Sequence, residues 1–193
     1  MGIISRFPAG ATKPYIEETY NSDGQLIDAN MHGYDAIRSH AFYSCSSLAS
    51  ISLPSEITSI GGSAFESCSS LALTSLPSGI TNIGAGTFAG CTSLALTSLP
   101  SGITSIGNNA FAVCTNLALT TLPSGITNID DYAFVECSSL VSLTFEGTPE
   151  NIGASAFAGC NNLTTINVPW AEGAVANAPW GATNATINYG HTG

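Results

Sequence analysis

The sequence predicts a solenoid, a stack of short coils wound about one core, and three observations predict it. A 23-residue unit recurs almost unchanged between Phe65 and Ala133: FESCSSLALTSLPSGITNIGAGT, FAGCTSLALTSLPSGITSIGNNA and FAVCTNLALTTLPSGITNIDDYA. The frame runs on in both directions, to Phe42, Phe65, Phe88, Phe111, Phe134 and Phe157. All six cysteines sit three residues after those Phe (Cys45, Cys68, Cys91, Cys114, Cys137, Cys160), and a Leu follows three further on, from Leu48 to Leu163. A fixed period in this range means one coil per repeat, each resting on the last.

Taken in order, residues 1–14 are Gly-, Pro- and Ala-rich and read as an arm. Residues 15–31, YIEETYNSDGQLIDANM, hold two strand-like runs around Asn21-Ser22-Asp23-Gly24, a hairpin turn. Glu17, Glu18, Asp23 and Asp28, with Asp35 just after, make this a polar cover for the first coil, as an open solenoid end requires. Arm and hairpin form an N-terminal unit, 1–33. The solenoid proper is expected over 34–169.

Each unit divides into three parts. Leu71 to Leu76 reads as a short strand ended by Pro77, which has no N–H for a ladder; Pro54, Pro100, Pro123 and Pro169 fill the same slot. SGITNIG follows, with Ile80 and Ile83 inward and Gly84 opening a turn. TFAGC is long enough for one helical turn, with Phe88 and Cys91 inside. The fifth repeat departs, since LTFEGTPENIG puts Phe145 and Glu146 where Leu-Pro is expected and Pro149 where the first Ile is; it reads as a local wobble. The pattern ends in the tail, 170–193, where Trp170, Trp180 and Tyr189 are expected to plug the core and Ala185–Tyr189 to add a last strand.

Composition excludes several function classes. Hydrophobic residues are 44% but charged residues only 8%, against about 25% in ordinary globular domains, so Ser, Thr, Asn and Gly must carry solubility. The net charge is −10, and Arg6, Lys13 and Arg38 are the only basic side chains. Nucleic acid and anionic membrane surfaces both need clustered cations, so neither is an expected partner. No apolar run approaches the roughly 18 residues of a membrane span, and MGIISRFPAG has no h-region or cleavage site, hence no expected signal peptide. The cysteines form one column rather than a disulfide framework. Coils about 4.8 Å apart hold parallel Cβ atoms wider than the roughly 3.8 Å of a bridge, so six free thiols are expected.

The combination Phe-x-x-Cys-x-x-Leu, strand, Pro, then Ile-x-x-Ile-Gly resembles the BspA-like leucine-rich repeats, over roughly residues 34–175. The resemblance implies a leucine-rich-repeat solenoid, with a parallel β-sheet on one face and short turns or single helical turns on the other. It implies binding rather than catalysis: a non-enzymatic adhesion module meeting a protein or glycan on a host or cell surface. Because similar repeats occur in phage structural proteins, it also implies a second reading, a self-associating virion or surface-layer component. Localisation is expected at a virion or cell surface.

Chemical constellations each have a plainer explanation. His40 near Cys45 suggests a nucleophile and its base, but Cys45 belongs to the packed column and no third group orients them. Asp130, Asp131 and Glu136 are too few for a hard cation wanting six or more oxygens. Ser-Gly and Ile-Gly steps are repeat turns without the Lys of a phosphate loop. Asn162 and Asn184 begin glycosylation sequons, relevant only in a eukaryotic secretory pathway. No catalytic, cofactor or metal site is expected.

One pattern bears on binding. Coils one, five and six carry an apolar residue nine positions after Phe: Ile51, Leu143 and Ile166. The middle coils have Thr74, Thr97 and Thr120 there, and their Leu one residue earlier, at Leu73, Leu96 and Leu119. A one-residue slip sends a side chain to the opposite face of a strand. Either a shared bulge turns these Leu inward, which burial favours, or they form an exposed stripe that marks an interaction surface. The candidate binding residues are therefore Leu73, Leu96 and Leu119 with Ser75, Ser98 and Thr121.

Overall fold

The computed structural model describes residues 14–191, so the arm read over 1–14 lies, except for Pro14, outside the described residues. Thirteen short strands form three sheets, and no helix occurs among the described residues. The N-terminal hairpin is present as β1 (Tyr15–Tyr20) and β2 (Leu26–His32), antiparallel with Tyr15 opposite His32. Its turn is tied by Asn21, whose Oδ1 accepts the N–H groups of Asp23 and Gln25. β2 then lies parallel to β4 (Ser50–Ser52), placing Ala29 beside Ile51. The hairpin thus supplies the ladder partner that the first coil would otherwise lack.

The longest sheet forms where the sequence suggested a turn. β3 (Ala36–Ile37), β5 (Ser59–Ile60), β6 (Asn82–Ile83), β7 (Ser105–Ile106), β9 (Asn128–Ile129) and β11 (Asn151–Ile152) make one parallel ladder of six. Each strand pairs a small or polar residue facing out, Ala36 in β3 and Ser or Asn in the others, with an Ile facing in. That is strand alternation reduced to two residues, with the β-branched side chain favoured on a pleated surface.

The arc read as a strand in every unit is not one in coils two and three. It is β4 in coil one, β8 (Thr121–Leu122) in coil four, β10 (Ser142–Phe145) and β12 (Thr165–Asn167) beyond, then β13 (Thr186–Asn188) in the tail. Residues 71–76 and 94–99 are not strand, which corrects the expectation for Leu71–Leu76. Leu96 and Leu99 are both buried, while Thr97 and Ser98 between them are exposed. Two adjacent outward residues cannot belong to a pleated strand, in which sides alternate.

The third arc is also not a helical turn. In coil four, Ala110 N–H bonds Gly107 C=O and Cys114 N–H bonds Phe111 C=O. Each of these β-turns has a left-handed third residue, Asn109 at φ 56° and Val113 at φ 60°. That breaks the run of right-handed angles a helix needs and frees the intervening N–H groups for the next coil. Phe42, Phe65, Phe88, Phe111 and Phe134 each donate to the following coil at 2.8–2.9 Å.

Inside, the columns stack in register. Phe rings from Phe42 to Phe157 lie parallel, with centroids 5.2–5.6 Å apart, within the favourable range for aromatic pairs. The tail makes a seventh, irregular coil. Trp180 is fully buried there, its C=O accepting the Phe157 N–H at 2.9 Å, and Val175 is buried as well. Phe145 is no wobble, because it turns into the core and meets Trp170 edge-on at 5.2 Å. Pro149 is buried in the position of the first Ile.

Candidate binding surface

The core columns decide what each coil can show. Five of the six thiols are buried and Cys45 is half-buried; none is bridged. From Cys68 on, each Sγ donates to the Phe carbonyl of the preceding coil, at 3.0–3.1 Å. Burial pushes the Cys68 thiol up to about 12 and Cys160 to about 11. The same cause raises Cys91, Cys114 and Cys137 well above the ordinary thiol value. Such thiols are structural donors and poor nucleophiles. His40 is exposed and packs on Tyr43 at 5.7 Å. Asp130 accepts from Asn128 Nδ2 at 2.7 Å and Asp131 from the Ser155 N–H at 3.2 Å, so both are engaged in the turn.

Of the candidate binding residues, Leu96 and Leu119 face the core, at 0% and 2% exposure, and Leu73 is half-buried against it. These two therefore present no apolar stripe. The inward orientation prevails because the corner of the coil moves. In coil one, Leu48, Ile51 and Leu53 are spaced three then two; in coils two and three, Leu, Leu and Leu are spaced two then three. The shift keeps three apolar residues inward and turns out a Thr-Ser pair. Ser75 and Ser98 are exposed and Thr121 half-buried.

What spacing alone did not disclose is the backbone. From coil two to coil three the bond that crosses this arc is Ala95 N–H to Leu73 C=O, and from three to four it is Ala118 N–H to Leu96 C=O. Strand pairing resumes only where Thr121 meets Thr144. Between β4 and β8, then, Thr74, Ser75, Thr97, Ser98 and Thr120 are exposed on an arc without strand pairing. The change in Leu spacing was the available signal.

Comparison with known proteins agrees with this geometry. The family model "BspA type Leucine rich repeat region" matches residues 35–164 in six copies. The chain belongs to the BspA-type leucine-rich repeat family. Among solved structures, a leucine-rich repeat protein from Bacteroides ovatus is similar at 28% identity and a TM-score of 0.64, over 79% of this chain and 45% of that one. The BspA-type chain described here thus spans less than half the length of that relative. The leucine-rich repeat protein of T. pallidum is similar at 26% identity and a TM-score of 0.61, covering 85% of each chain. No curated protein matches significantly.

Proposed function

We propose that this BspA-type solenoid is a non-catalytic binding module, and that it meets a protein or glycan on a cell or virion surface with the arc of coils two to four. The observation that carries the reading is the break in that arc. No strand pairing links coils two, three and four across this arc, yet the core columns are kept, and exposed hydroxyls stand there instead. A ligand rich in hydroxyl or amide groups pairs with such a surface without needing charge. Uncharged hydrogen-bonding surfaces of this kind recognise by geometry, with each bond contributing about 0.5–1.5 kcal/mol net.

The test is a glycan array and a cell-surface protein screen with the full chain, followed by Ser98→Asp and Thr97→Asp. Both side chains are exposed, so melting should not change while binding falls. Binding that survives both substitutions would remove this arc from the reading.

A second reading, assembly into a larger structure, is favoured by one feature. β13 carries Thr186, Ile187 and Asn188 at the end of its sheet with no charged residue, and Ile187 is only half-buried. Uncharged edges are templates for association, whereas β1 at the other end carries Glu17 and Glu18. A solution mass that is a multiple of 19.7 kDa and collapses to one copy on Ile187→Lys would support assembly. A single copy at all concentrations would count against it.

A further inference from the structure

The turn arcs of coils four and five hold a feature that neither the core nor the broken sheet explains. Left-handed positions in this arc hold His40 and Ser44 in coil one, Ser63 and Ser67 in coil two, and Gly86 and Gly90 in coil three. Coil four places Val113 at φ 60°, and coil five places Tyr132 and Glu136 at φ 59°. A β-branched residue is among the least tolerant of this conformation. Burial does not compensate, since Val113 is 38% and Tyr132 45% exposed.

The two lie on neighbouring coils joined through Val135, whose C=O accepts the Val113 N–H at 2.8 Å and whose N–H donates to Tyr132 C=O at 3.1 Å. The adjoining coils carry only small residues at the equivalent places, Ala89 and Gly90 before and Ala158 and Gly159 after, so Tyr132, Val113 and Val135 are the bulky apolar groups of the arc. Asp131 and Glu136 flank them, both exposed. The sequence has no Lys or Arg after Arg38, and the ion pair among the described residues is His32 with Glu17, on the hairpin.

We infer that this patch docks a basic segment of a partner protein, one that sets Lys or Arg beside an apolar side chain. The inference rests on the binding-module reading and adds a second surface to it. Charge selects the occupant. A second copy brings its own net charge of −10 and only three cations, Arg6, Lys13 and Arg38, all within its first 38 residues. Phosphate-bearing polymers and anionic lipid are repelled. A basic segment pairs with Asp131 and Glu136 while its apolar side chain covers Tyr132 and Val113, an aromatic anchor with a charged rim.

Fluorescence anisotropy tests this with a labelled peptide alternating Arg and Leu, against a counterpart with Glu in place of Arg, titrated with the full chain. The Arg peptide should bind and the Glu peptide should not. Tyr132→Ser should weaken binding about tenfold. Val113→Gly should also weaken it while raising the melting temperature by about 2–4 °C, because the strain is relieved. Glu172→Gln and Glu56→Gln, which remove remote acids, should change nothing. Equal weakening by the remote substitutions, binding unaffected by Tyr132→Ser, or no peptide binding would each overturn the inference. The Ser98→Asp chain should bind the peptide normally. A wild-type chain that finds a ligand in the surface screens but ignores the peptide would overturn this patch alone; one that does neither would overturn the parent reading as well.

Discussion

A cysteine recurs in every coil because the position needs a small apolar group that can also donate one weak hydrogen bond inward. The Phe carbonyl of each coil already accepts from its own Cys N–H, and the thiol of the next coil adds a second contact, as when Cys91 Sγ reaches Phe65 O at 3.0 Å. Intact mass after alkylation in denaturant should therefore show six adducts without prior reduction, while the folded chain should label first at Cys45. Four or fewer adducts in denaturant would mean that thiols are bridged. The raised thiols also set an alkaline limit. An ordinary thiol loses its proton near 9, whereas Cys68 holds its proton to about 12. Above 9 the unfolded chain therefore binds fewer protons than the folded one, and stability falls as pH rises through that window. Thermal melts from pH 7 to 11 should show the melting temperature dropping beyond pH 9, and Cys114→Ala should lessen the slope. A flat profile would contradict the buried, protonated column.

At the scale of the element, each coil is three arcs with different demands, and the sequence disclosed them unequally. The Phe, Cys and Leu columns were legible because they repeat without exception and all face inward. The six-stranded ladder was not, because two residues per strand are too few to display alternation, and Ser-Gly before it reads as a turn. The turn arc was mistaken for a helical turn because left-handed residues show in sequence only when they are Gly or Asn. Here Ser63, Ser67, Val113 and Tyr132 fill such places, the first three held there by bonds to the next coil. The candidate surface was half legible: the shift from Ile51 to Leu73, Leu96 and Leu119 marked where the arc departs from coil one. Its consequence, a broken ladder with hydroxyls turned out, depends on where each chain corner falls. Leu96→Asp should be strongly destabilising, since it buries a carboxylate with no partner, and Leu96→Ala should cost about 2–5 kcal/mol. Chemical denaturation measures both; unchanged midpoints would put Leu96 on the outside.

Across the whole molecule, stability accumulates coil by coil, each contacting mainly its neighbours. Both ends are therefore weak points, and both are covered by sequence that leaves the repeat. The hairpin donates β2 to the first coil. The tail donates β13 and buries Trp180, with Trp170 and Phe145 packed around it. Truncation at Pro169 should expose that cross-section and the edge of β12, giving a lower melting temperature and concentration-dependent association. A monomer that melts as before would contradict the capping role. The account as a whole turns on one contrast: an unbroken ladder at the second Ile of every coil, and a broken one in the Leu-Thr-Ser arc of coils two to four. Amide hydrogen exchange, resolved by residue, tests it most directly. The amides of Gly61, Gly107, Asp130 and Gly153, each bonded to an Ile carbonyl of the preceding coil, should be protected, while those of Thr74 to Leu76 and Thr97 to Leu99 exchange much faster. Equal protection in both arcs would show a continuous second sheet and remove the proposed binding surface.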